Sequence, residues 1–112
     1  MPDAKRVRVE DLQGGENAEA FNGHEHGATV CFFLSHNKPG TGPSLHTHPY
    51  EEIFIVQGGE VTFTVGEETV DAKSGDILIV PANTPHKFTC TSEGHRQVSI
   101  HPAPRMETEW LE

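Results

Sequence analysis

Residues 40–59 read G-T-G-P-S-L-H-T-H-P-Y-E-E-I-F-I-V-Q-G-G, and this stretch decides the predicted fold. It places His46 and His48 two residues apart, puts Glu52 four residues further on, and ends in an apolar run followed by two glycines. Successive side chains of an extended chain point to opposite faces, so positions 46, 48 and 52 face the same way. The stretch therefore predicts a β segment that presents two imidazoles and a carboxylate to one surface.

The chain on either side of this stretch reads as short strands separated by turn residues. Gly58 and Gly59 predict a hairpin turn, and residues 60–65, E-V-T-F-T-V, return with a period of two. Strands are predicted at 7–10, 28–35, 53–56, 60–65, 69–72, 77–80, 86–91 and 97–101. Segment 28–35 is expected to be buried on both sides, 37–44 is a predicted loop, and 11–22 is a polar connection without an assignment. Strands spaced at about 8–12 residues predict an all-β antiparallel sandwich or barrel.

The composition limits the possible partners of the chain. Lys and Arg number 8 against 17 for Asp and Glu, which gives a net charge of −9. Nucleic acids and anionic membranes bind basic faces, so neither is an expected partner. No apolar run approaches the ~20 residues of a membrane span, and residues 1–10 lack the apolar region of a signal peptide. The expected location is therefore cytoplasmic. Cys31 and Cys90 form no C-x-x-C pair and are too few for a disulfide scaffold, so both are expected to be reduced and buried.

Two motifs in the chain resemble those of the cupins, which are small jelly-roll barrels. The first, G-x5-H-x-H-x3,4-E-x6-G, is filled completely by Gly40, His46, His48, Glu52 and Gly59. The second, G-x5-P-x-G-x2-H-x3-N, is met by Gly75, Pro81 and His86, with Asn83 in place of the glycine and Cys90 in place of the asparagine. Asparagine tolerates the left-handed turn for which glycine is favoured, so the change at Asn83 is mild.

The resemblance implies one cupin domain over residues 1–112 with an antiparallel jelly-roll β-barrel. The barrel core is expected at about 27–101, with an N-terminal edge strand and connection at 1–26 and an irregular tail at 102–112 that packs outside the barrel. The resemblance also suggests a homodimer that pairs through outer sheets. Ile53 and Ile55, opposite the cup, need apolar cover, which could also come from the same chain.

His46, His48, Glu52 and His86 are the predicted metal ligands. Three imidazole nitrogens and one carboxylate oxygen suit one divalent transition metal ion, Fe, Mn, Ni, Zn, Cu or Co, better than Mg or Ca. The resemblance implies the same four ligands, and a metal-free pocket with polar histidines is the alternative. The remaining histidines are expected to be solvated residues without a function, namely His24, His26, His36, His95 and His101.

Strand alternation also predicts which side chains line the pocket beside the metal. Phe54 and Val56 follow Glu52 on the inward face, and Phe88 and Cys90 follow His86. Phe63 is expected to join them, and Cys90 is expected to be a buried structural thiol rather than a reactive one. The predicted pocket is small and mostly apolar, without an inward arginine pair for a phosphate or a nucleotide sugar.

Two classes of function fit this pattern. The first is a metal-dependent enzyme, of dioxygenase or isomerase/lyase type, that acts on a small, largely apolar or aromatic oxygenated molecule; Glu52 then serves as a ligand or, if released, as a general base. The second is a non-catalytic module that binds a metal and a small ligand as a sensor or storage protein. Cupins include both classes, so the fold does not separate them.

Overall fold

The computed structural model describes residues 3–112, and it is built almost entirely of β-strands. The predicted domain begins at residue 1, so its first two residues lie outside the described part. The strands are β1 (Gln13–Gly14), β2 (Ala18–Phe21), β3 (Cys31–Ser35), β4 (His46–Thr47), β5 (Glu52–Gly58), β6 (Glu60–Val65), β7 (Glu68–Lys73), β8 (Ile77–Val80), β9 (His86–Cys90), β10 (Arg96–His101) and β11 (Glu109–Trp110). Two 3-10 turns, Val9–Asp11 and Gly23–Glu25, are the helical elements within residues 3–112.

The strands form two antiparallel sheets that face each other. The first has six strands in the order β1-β2-β3-β10-β5-β8, and the second has five in the order β11-β4-β9-β6-β7. This arrangement confirms the predicted antiparallel jelly-roll β-barrel. Neither of the short helical turns within the described residues has the length or the apolar character needed to cross a membrane.

Alternation along the strands fills the space between the sheets. In β6, Val61 and Phe63 are buried, while Thr62 on the other face donates a hydrogen bond to Asp71 on β7. Apolar side chains from both sheets meet in one core, formed by Phe54, Val56, Val61, Phe63, Ala72, Val80 and Phe88. Burial of apolar surface from two facing sheets is what holds such a barrel closed.

Each of the two predicted motifs contains a turn residue with a positive φ angle. Gly59 takes φ +75° directly after β5, as the hairpin requires. Asn83 takes φ +60°, which confirms that asparagine adopts the left-handed conformation at this position. The Asn83 amide then donates to the carbonyl of His48 at 2.8 Å, so the turn of the second motif is fastened to the first motif.

The N-terminal part differs from the prediction. Residues 7–10 are not a strand: Val9–Asp11 form a 3-10 turn, and both Val7 and Val9 remain exposed, so no apolar face drives pairing there. Strands β1 and β2 lie instead in the segment 11–22, which had no assignment. Segment 28–35 begins its strand only at Cys31, and Phe32–Leu34 are half-buried rather than covered on both sides.

The C-terminal tail also differs from the prediction. Residues 109 and 110 form β11, which pairs with β4 in the register Glu109↔Thr47 and Trp110↔His46. The amide of Leu111 donates to the carbonyl of Leu45 at 2.9 Å and extends this contact. The expectation of an irregular tail outside the barrel was therefore wrong for these residues, because β4 offers a free edge to a segment far away in sequence.

Replacement of Gly42 by alanine is expected to destabilise the barrel. An added Cβ would lie 1.8 Å from the carbonyl oxygen of Phe88, so the backbone of β9 or of the loop must move. We expect G42A to lower the free energy of unfolding by about 2–3 kcal/mol, measured by urea denaturation. G15A is the matched control, because nothing lies within 4 Å of its added Cβ. Equal unfolding free energies for the two variants would contradict this packing.

Candidate metal centre

The four predicted ligands lie together at one end of the barrel. His46 belongs to β4, His48 follows it, and Glu52 and His86 are the first residues of β5 and β9. One ligand atom from each residue lies within 4.8 Å of the others, and all four residues are buried. The pairing of β4 with β9 sets His46 opposite His86, so the register of the sheet brings the two motifs to the same point.

The three histidines of this cluster share the same orientation. Each ring points its Nδ1 at a backbone carbonyl oxygen, and a carbonyl can only accept, so in the neutral ring Nδ1 carries the proton. The pairs are His46 with Ser44 at 2.6 Å, His48 with Glu107 at 2.7 Å and His86 with Thr84 at 2.8 Å. The Nε2 atoms are therefore left with free lone pairs, and such backbone contacts are typical of histidines that bind metals.

The Nε2 lone pairs meet the carboxylate of Glu52. Its Oε1 lies 3.1 Å from His48 Nε2 and 2.9 Å from His86 Nε2. These are contacts between acceptors when the rings are neutral, so a cation is needed between them. His48 Nε2 is buried and has no hydrogen-bond partner within residues 3–112. The residues fit a transition metal ion, because an ion on the Nε2 and carboxylate atoms would satisfy all of them together.

The electrostatics of the cluster agree with a need for positive charge. Burial alone would raise the pKa of Glu52, but contacts with His101, His48 and His86 outweigh it and lower that pKa well below its usual range. Burial lowers the pKa of His46. Burial also acts to lower the pKa of His48, but its contacts with Glu52 and the Glu107 carbonyl raise that pKa above the ordinary value. The carboxylate is thus ionised and attracts either a proton or a metal ion to its neighbours.

His101 is a fourth histidine of the centre, and its expected solvation was wrong. It is only 2% exposed, and its Nε2 lies 3.1 Å from Glu52 Oε2, on the carboxylate oxygen that does not face His48 and His86. That contact lacks the alignment of a full hydrogen bond. His101 is the last residue of β10, in phase with buried Gln97 and Ser99, and this alternation is the only sequence signal for its inward position.

Tyr50 holds His101 from the other side. The Glu107 amide donates to the Tyr50 oxygen at 3.2 Å, and the Tyr50 hydroxyl lies 2.7 Å from His101 Nδ1. Burial raises the pKa of Tyr50 to about 12, so the phenol keeps its proton. His101 Nε2 faces the Glu52 carboxylate, which can only accept, so Nε2 carries the proton of the neutral ring and Nδ1 accepts from the Tyr50 hydroxyl. The Tyr50 ring also stacks on His48, with centroids 5.2 Å apart and planes 4° from parallel.

The C-terminal segment forms part of this centre. The Glu107 carbonyl accepts from His48, and the Trp110 ring packs on His46 with centroids 5.0 Å apart. Thr108 and Trp110 also line the adjoining cavity. The pairing of β11 with β4 therefore places residues against two of the histidines, a role that the sequence pattern did not indicate.

A cavity of about 350 Å³ opens beside the cluster. Of the side chains predicted to line it, Phe54 and Phe88 do so. Val56 and Phe63 lie instead in the hydrophobic core below, and Cys90 is buried with its Sγ donating to the Ser92 carbonyl at 3.0 Å. The cavity wall contains further residues that the sequence reasoning did not name, namely Asn17, Ala18, Phe33, Ser35, Asn37, Gly42, Pro43, Ser99, Thr108 and Trp110.

Within residues 3–112, none of the remaining histidines and neither cysteine belongs to the ligand cluster. His24 and His36 are exposed and His26 is half-buried, so they do not form a second buried site. His95 is 3% exposed, so its expected solvation was wrong; its Nδ1 accepts from the Asn37 amide at 2.9 Å. Both cysteines are free and buried, as predicted.

Comparison with known proteins gives one family and several relatives. A family model described as a cupin domain matches residues 33–100. An uncharacterized protein of Streptomyces coelicolor is 35% identical over 65 residues, which cover 58% of the chain and 62% of that protein. Acireductone dioxygenase 1 of Pectobacterium atrosepticum is 45% identical over 49 residues, which cover 40% of the chain and 28% of the enzyme. Polyketide synthase CurC of Streptomyces cyaneus is 27% identical over 104 residues, which cover 91% of the chain and 68% of that protein.

Solved structures support the same fold. Oxalate decarboxylase from Bacillus subtilis superposes with a TM-score of 0.83 at 17% identity, covering 99% of the chain and 33% of the enzyme. A mutant of salicylate 1,2-dioxygenase from Pseudoaminobacter salicylatoxidans, in complex with gentisate, superposes with a TM-score of 0.66 at 19% identity. The superposition covers 74% of the chain and 24% of the enzyme. The chain thus spans about a third or less of these enzymes, and at such identities the similarity concerns the fold alone.

Acidification is expected to release a metal ion from this centre. Ligating imidazoles must be neutral, so protons compete with the ion as the pH falls through the imidazole pKa values, near 6.5 for an ordinary histidine. Competition begins at His48, whose pKa is raised, whereas Glu52 stays ionised because its pKa is lowered. We expect metal affinity, measured by chelator competition, to fall steadily below about pH 6.5. Metal content unchanged down to about pH 4 would contradict the ligand set.

Loss of His101 is expected to weaken metal binding although it is not one of the four ligands. H101F removes the nitrogen that faces Glu52 Oε2, so the carboxylate is free to turn, and we expect about 10- to 100-fold lower metal affinity. Y50F should show a smaller loss, because the ring still stacks on His48 while the hydroxyl is gone. H24F is the matched surface control. Metal titrations with thermal melting of each variant check this, and unchanged affinity in H101F would refute the positioning role.

Proposed function

Because the chain belongs to the cupin domain family, we propose that it is a metal-dependent enzyme that acts on a small, largely apolar or aromatic oxygenated molecule. The observation that carries this proposal is the buried cluster of His46, His48, Glu52 and His86 at the end of a ligand-sized cavity. Pockets of about 300–1,000 Å³ hold small molecules, and this one falls in that range. A cluster used only for folding would not need an adjoining cavity.

The four ligands hold the ion in this proposal, and the other residues orient the substrate. When bound, a divalent transition metal supplies a Lewis acid and a template for substrate oxygen atoms. The rings of Phe54, Phe88 and Trp110 offer apolar faces that position a flat substrate and exclude water from the site. The β11 strand covers the cluster on the side of His46.

Glu52 acts as a ligand and not as the general base in this proposal. Its pKa is lowered by the neighbouring imidazoles, so it is a weak base while these contacts exist. A general base works best when its pKa lies near the operating pH. His101 and Tyr50 assist by fixing the carboxylate through Oε2, which leaves Oε1 for the ion together with His48 and His86.

The named relatives support oxygenation or a lyase step as the class of reaction. The local similarity to an acireductone dioxygenase reaches 45% identity, although it covers only 28% of that enzyme. The structural neighbours include a decarboxylase and a dioxygenase in complex with gentisate, which is aromatic. Oxalate decarboxylase of Bacillus subtilis contains Mn(II) centres. For this chain, Fe, Mn, Ni, Zn, Cu and Co all suit the three nitrogen atoms and one oxygen atom.

We further propose a homodimer in the cytoplasm. Ile53 pairs with Ile79 and Ile55 with Ile77 on the outer face of β5 and β8, which gives one continuous apolar patch. Ile77 is 66% exposed and Ile79 60% exposed, so a second copy of the chain would cover them. The free cysteines suit a reducing compartment.

Metal analysis followed by a turnover screen tests the proposed function. The chain is purified without an affinity tag or chelator, its metals are measured, and bound small molecules are identified by mass spectrometry. We expect about one divalent transition metal ion per chain, near-complete loss of metal in H86A and no loss in the surface control H24A. Turnover of aromatic or diketone substrates with the bound metal would support the enzyme. Metal binding without turnover would favour a sensor or storage module, and a wild-type chain that binds no metal would refute both.

A further inference from the structure

The C-terminal segment, residues 107–112, is held in place by hydrogen bonds rather than by buried apolar surface. Every residue of this segment is exposed, with Trp110 at 60% and Leu111 at 45%. The Leu111 amide donates to the Leu45 carbonyl at 2.9 Å, and the Leu45 amide donates to Glu112 Oε1 at 3.2 Å. Segments that bury little apolar surface open locally at a low free energy. The gain or loss of one hydrogen bond therefore changes the closed fraction of this segment.

His48 joins this segment to the metal centre. Its Nδ1 lies 2.7 Å from the carbonyl oxygen of Glu107, which is 59 residues away in the chain. The corresponding carbonyl partners of the other two ligand histidines lie only two residues before them in the chain. Those two rings are thus oriented by their own loops, whereas the ring of His48 is fastened to a distant segment.

A neutral His48 ring has one N–H proton and faces two acceptors. Its Nδ1 faces the Glu107 carbonyl at 2.7 Å, and its Nε2 faces Glu52 Oε1 at 3.1 Å. A carbonyl and a carboxylate can only accept, so a proton on one nitrogen leaves two acceptors facing each other at the other nitrogen. The Thr108 hydroxyl, 3.3 Å from Nδ1, is too distant to compensate fully. The ring alone therefore cannot satisfy both the metal centre and the C-terminal segment.

The carboxylate competes more strongly for this proton when no ion is bound. Glu52 is only 3% exposed, so water cannot replace a missing donor, and a charged acceptor forms the stronger hydrogen bond. Glu107 is exposed, so its carbonyl can bond to water once the segment opens. Without an ion, the proton is therefore expected on Nε2, and the lone pair of Nδ1 then faces the Glu107 carbonyl.

An ion at the ligand cluster reverses this preference. Coordination needs the lone pair of His48 Nε2, so the proton lies on Nδ1 and is donated to the Glu107 carbonyl. This exchange of tautomers leaves the charge of the ring unchanged. The closed segment brings Thr108 and Trp110 to the wall of the cavity. The cavity wall is thus complete only when the segment is fastened to His48.

We propose that the C-terminal segment is a metal-dependent cover of the cavity, and that the tautomer of His48 switches it. The tautomer with the proton on Nε2 opens the segment, and the tautomer with the proton on Nδ1 closes it. The inference rests on the metal site of the proposed function, but it needs no catalytic step. It adds an order of events, in which the ion binds first and a small ligand then meets the complete cavity.

Hydrogen exchange of the full chain tests the cover. Exchange is followed by mass spectrometry at about pH 8, where an ordinary imidazole is neutral, with saturating Zn²⁺ and with EDTA instead. We expect exchange of residues 107–112 to be about 10-fold slower with Zn²⁺, as one additional hydrogen bond provides. The turn at residues 92–94 is the internal control, because it lies at the ends of β9 and β10 that are remote from the ligands. Its exchange should change by less than about 2-fold.

Nuclear magnetic resonance of ¹⁵N-labelled histidine side chains tests the switch. We expect His48 to carry its proton on Nε2 in EDTA and on Nδ1 with Zn²⁺, with its signals identified by their loss in H48Q. The exposed His24 should keep one pattern under both conditions. A segment that served the fold alone would leave the tautomer of His48 unchanged.

Two variants of Leu111 test the reverse direction of the same coupling. L111P removes the amide that donates to the Leu45 carbonyl, whereas L111A keeps this amide and shortens an exposed side chain. Coupling between two sites is reciprocal, so a loosened segment must weaken the binding of the ion. In chelator competition we expect L111P to bind Zn²⁺ about 5-fold more weakly than the wild-type chain and L111A to stay within about 2-fold.

The outcomes separate this inference from the function beneath it. A wild-type chain that fails to bind Zn²⁺ would overturn the proposed function itself. Zn²⁺ binding with unchanged exchange at residues 107–112 would overturn the cover alone, and slower exchange with an unchanged tautomer would refute His48 as the switch. Equal Zn²⁺ affinities of L111P and L111A would refute the coupling. The measurements on the wild-type chain need no variant, so they remain decisive if L111P fails to fold.

Discussion

The buried carboxylate of Glu52 is the constraint on which the rest of the structure depends. It is only 3% exposed, and imidazole nitrogens surround both of its oxygens. The backbone carbonyls fix the tautomers of the ligand histidines, so the nitrogens facing Oε1 are acceptors. An anion among acceptors is stable only with a cation, and burial makes this requirement stronger because water cannot supply the missing charge. The chemistry of the site thus follows from the positions of hydrogen atoms on the imidazole rings.

The barrel meets this requirement by bringing four strands to one point. One sheet carries the three ligand imidazoles, on β4, on β9 and on the residue directly after β4. The other sheet carries Glu52 on β5 and His101 on β10. The ligands sit at strand ends, where a register shift by one residue would turn each of them to the opposite face. The hydrogen bond from the Asn83 amide to the His48 carbonyl resists such a shift, and so does the turn at Gly59. The apolar core below the site, around Phe54 and Phe63, keeps the two sheets at a fixed separation.

The sequence predicted the parts of the fold that depend on local periodicity. The spacing of His46, His48 and Glu52 and the strand that follows them are readable because a strand has a period of two, and His86 follows a recognisable turn. His101 and Tyr50 were missed because their inward positions matter only once β10 pairs with β5 and the tail reaches back. The same reason applies to β11, whose partner β4 lies far earlier in the chain. The prediction that Val56 and Cys90 line the cavity was wrong, because strand alternation gives the face on which a side chain lies but not the depth at which the cavity ends.

The C-terminal segment connects folding with ligand binding in a way that the motifs alone do not imply. The Glu107 carbonyl fixes His48, the Glu107 amide holds Tyr50, and Trp110 covers His46, so the segment contacts both sides of the cluster. An ion that binds the imidazoles stabilises the histidine orientations that these contacts require, and by linkage it stabilises the segment itself. The segment in turn contributes Thr108 and Trp110 to the cavity wall. Occupancy of the metal centre and the shape of the cavity are therefore coupled through the same short segment of chain.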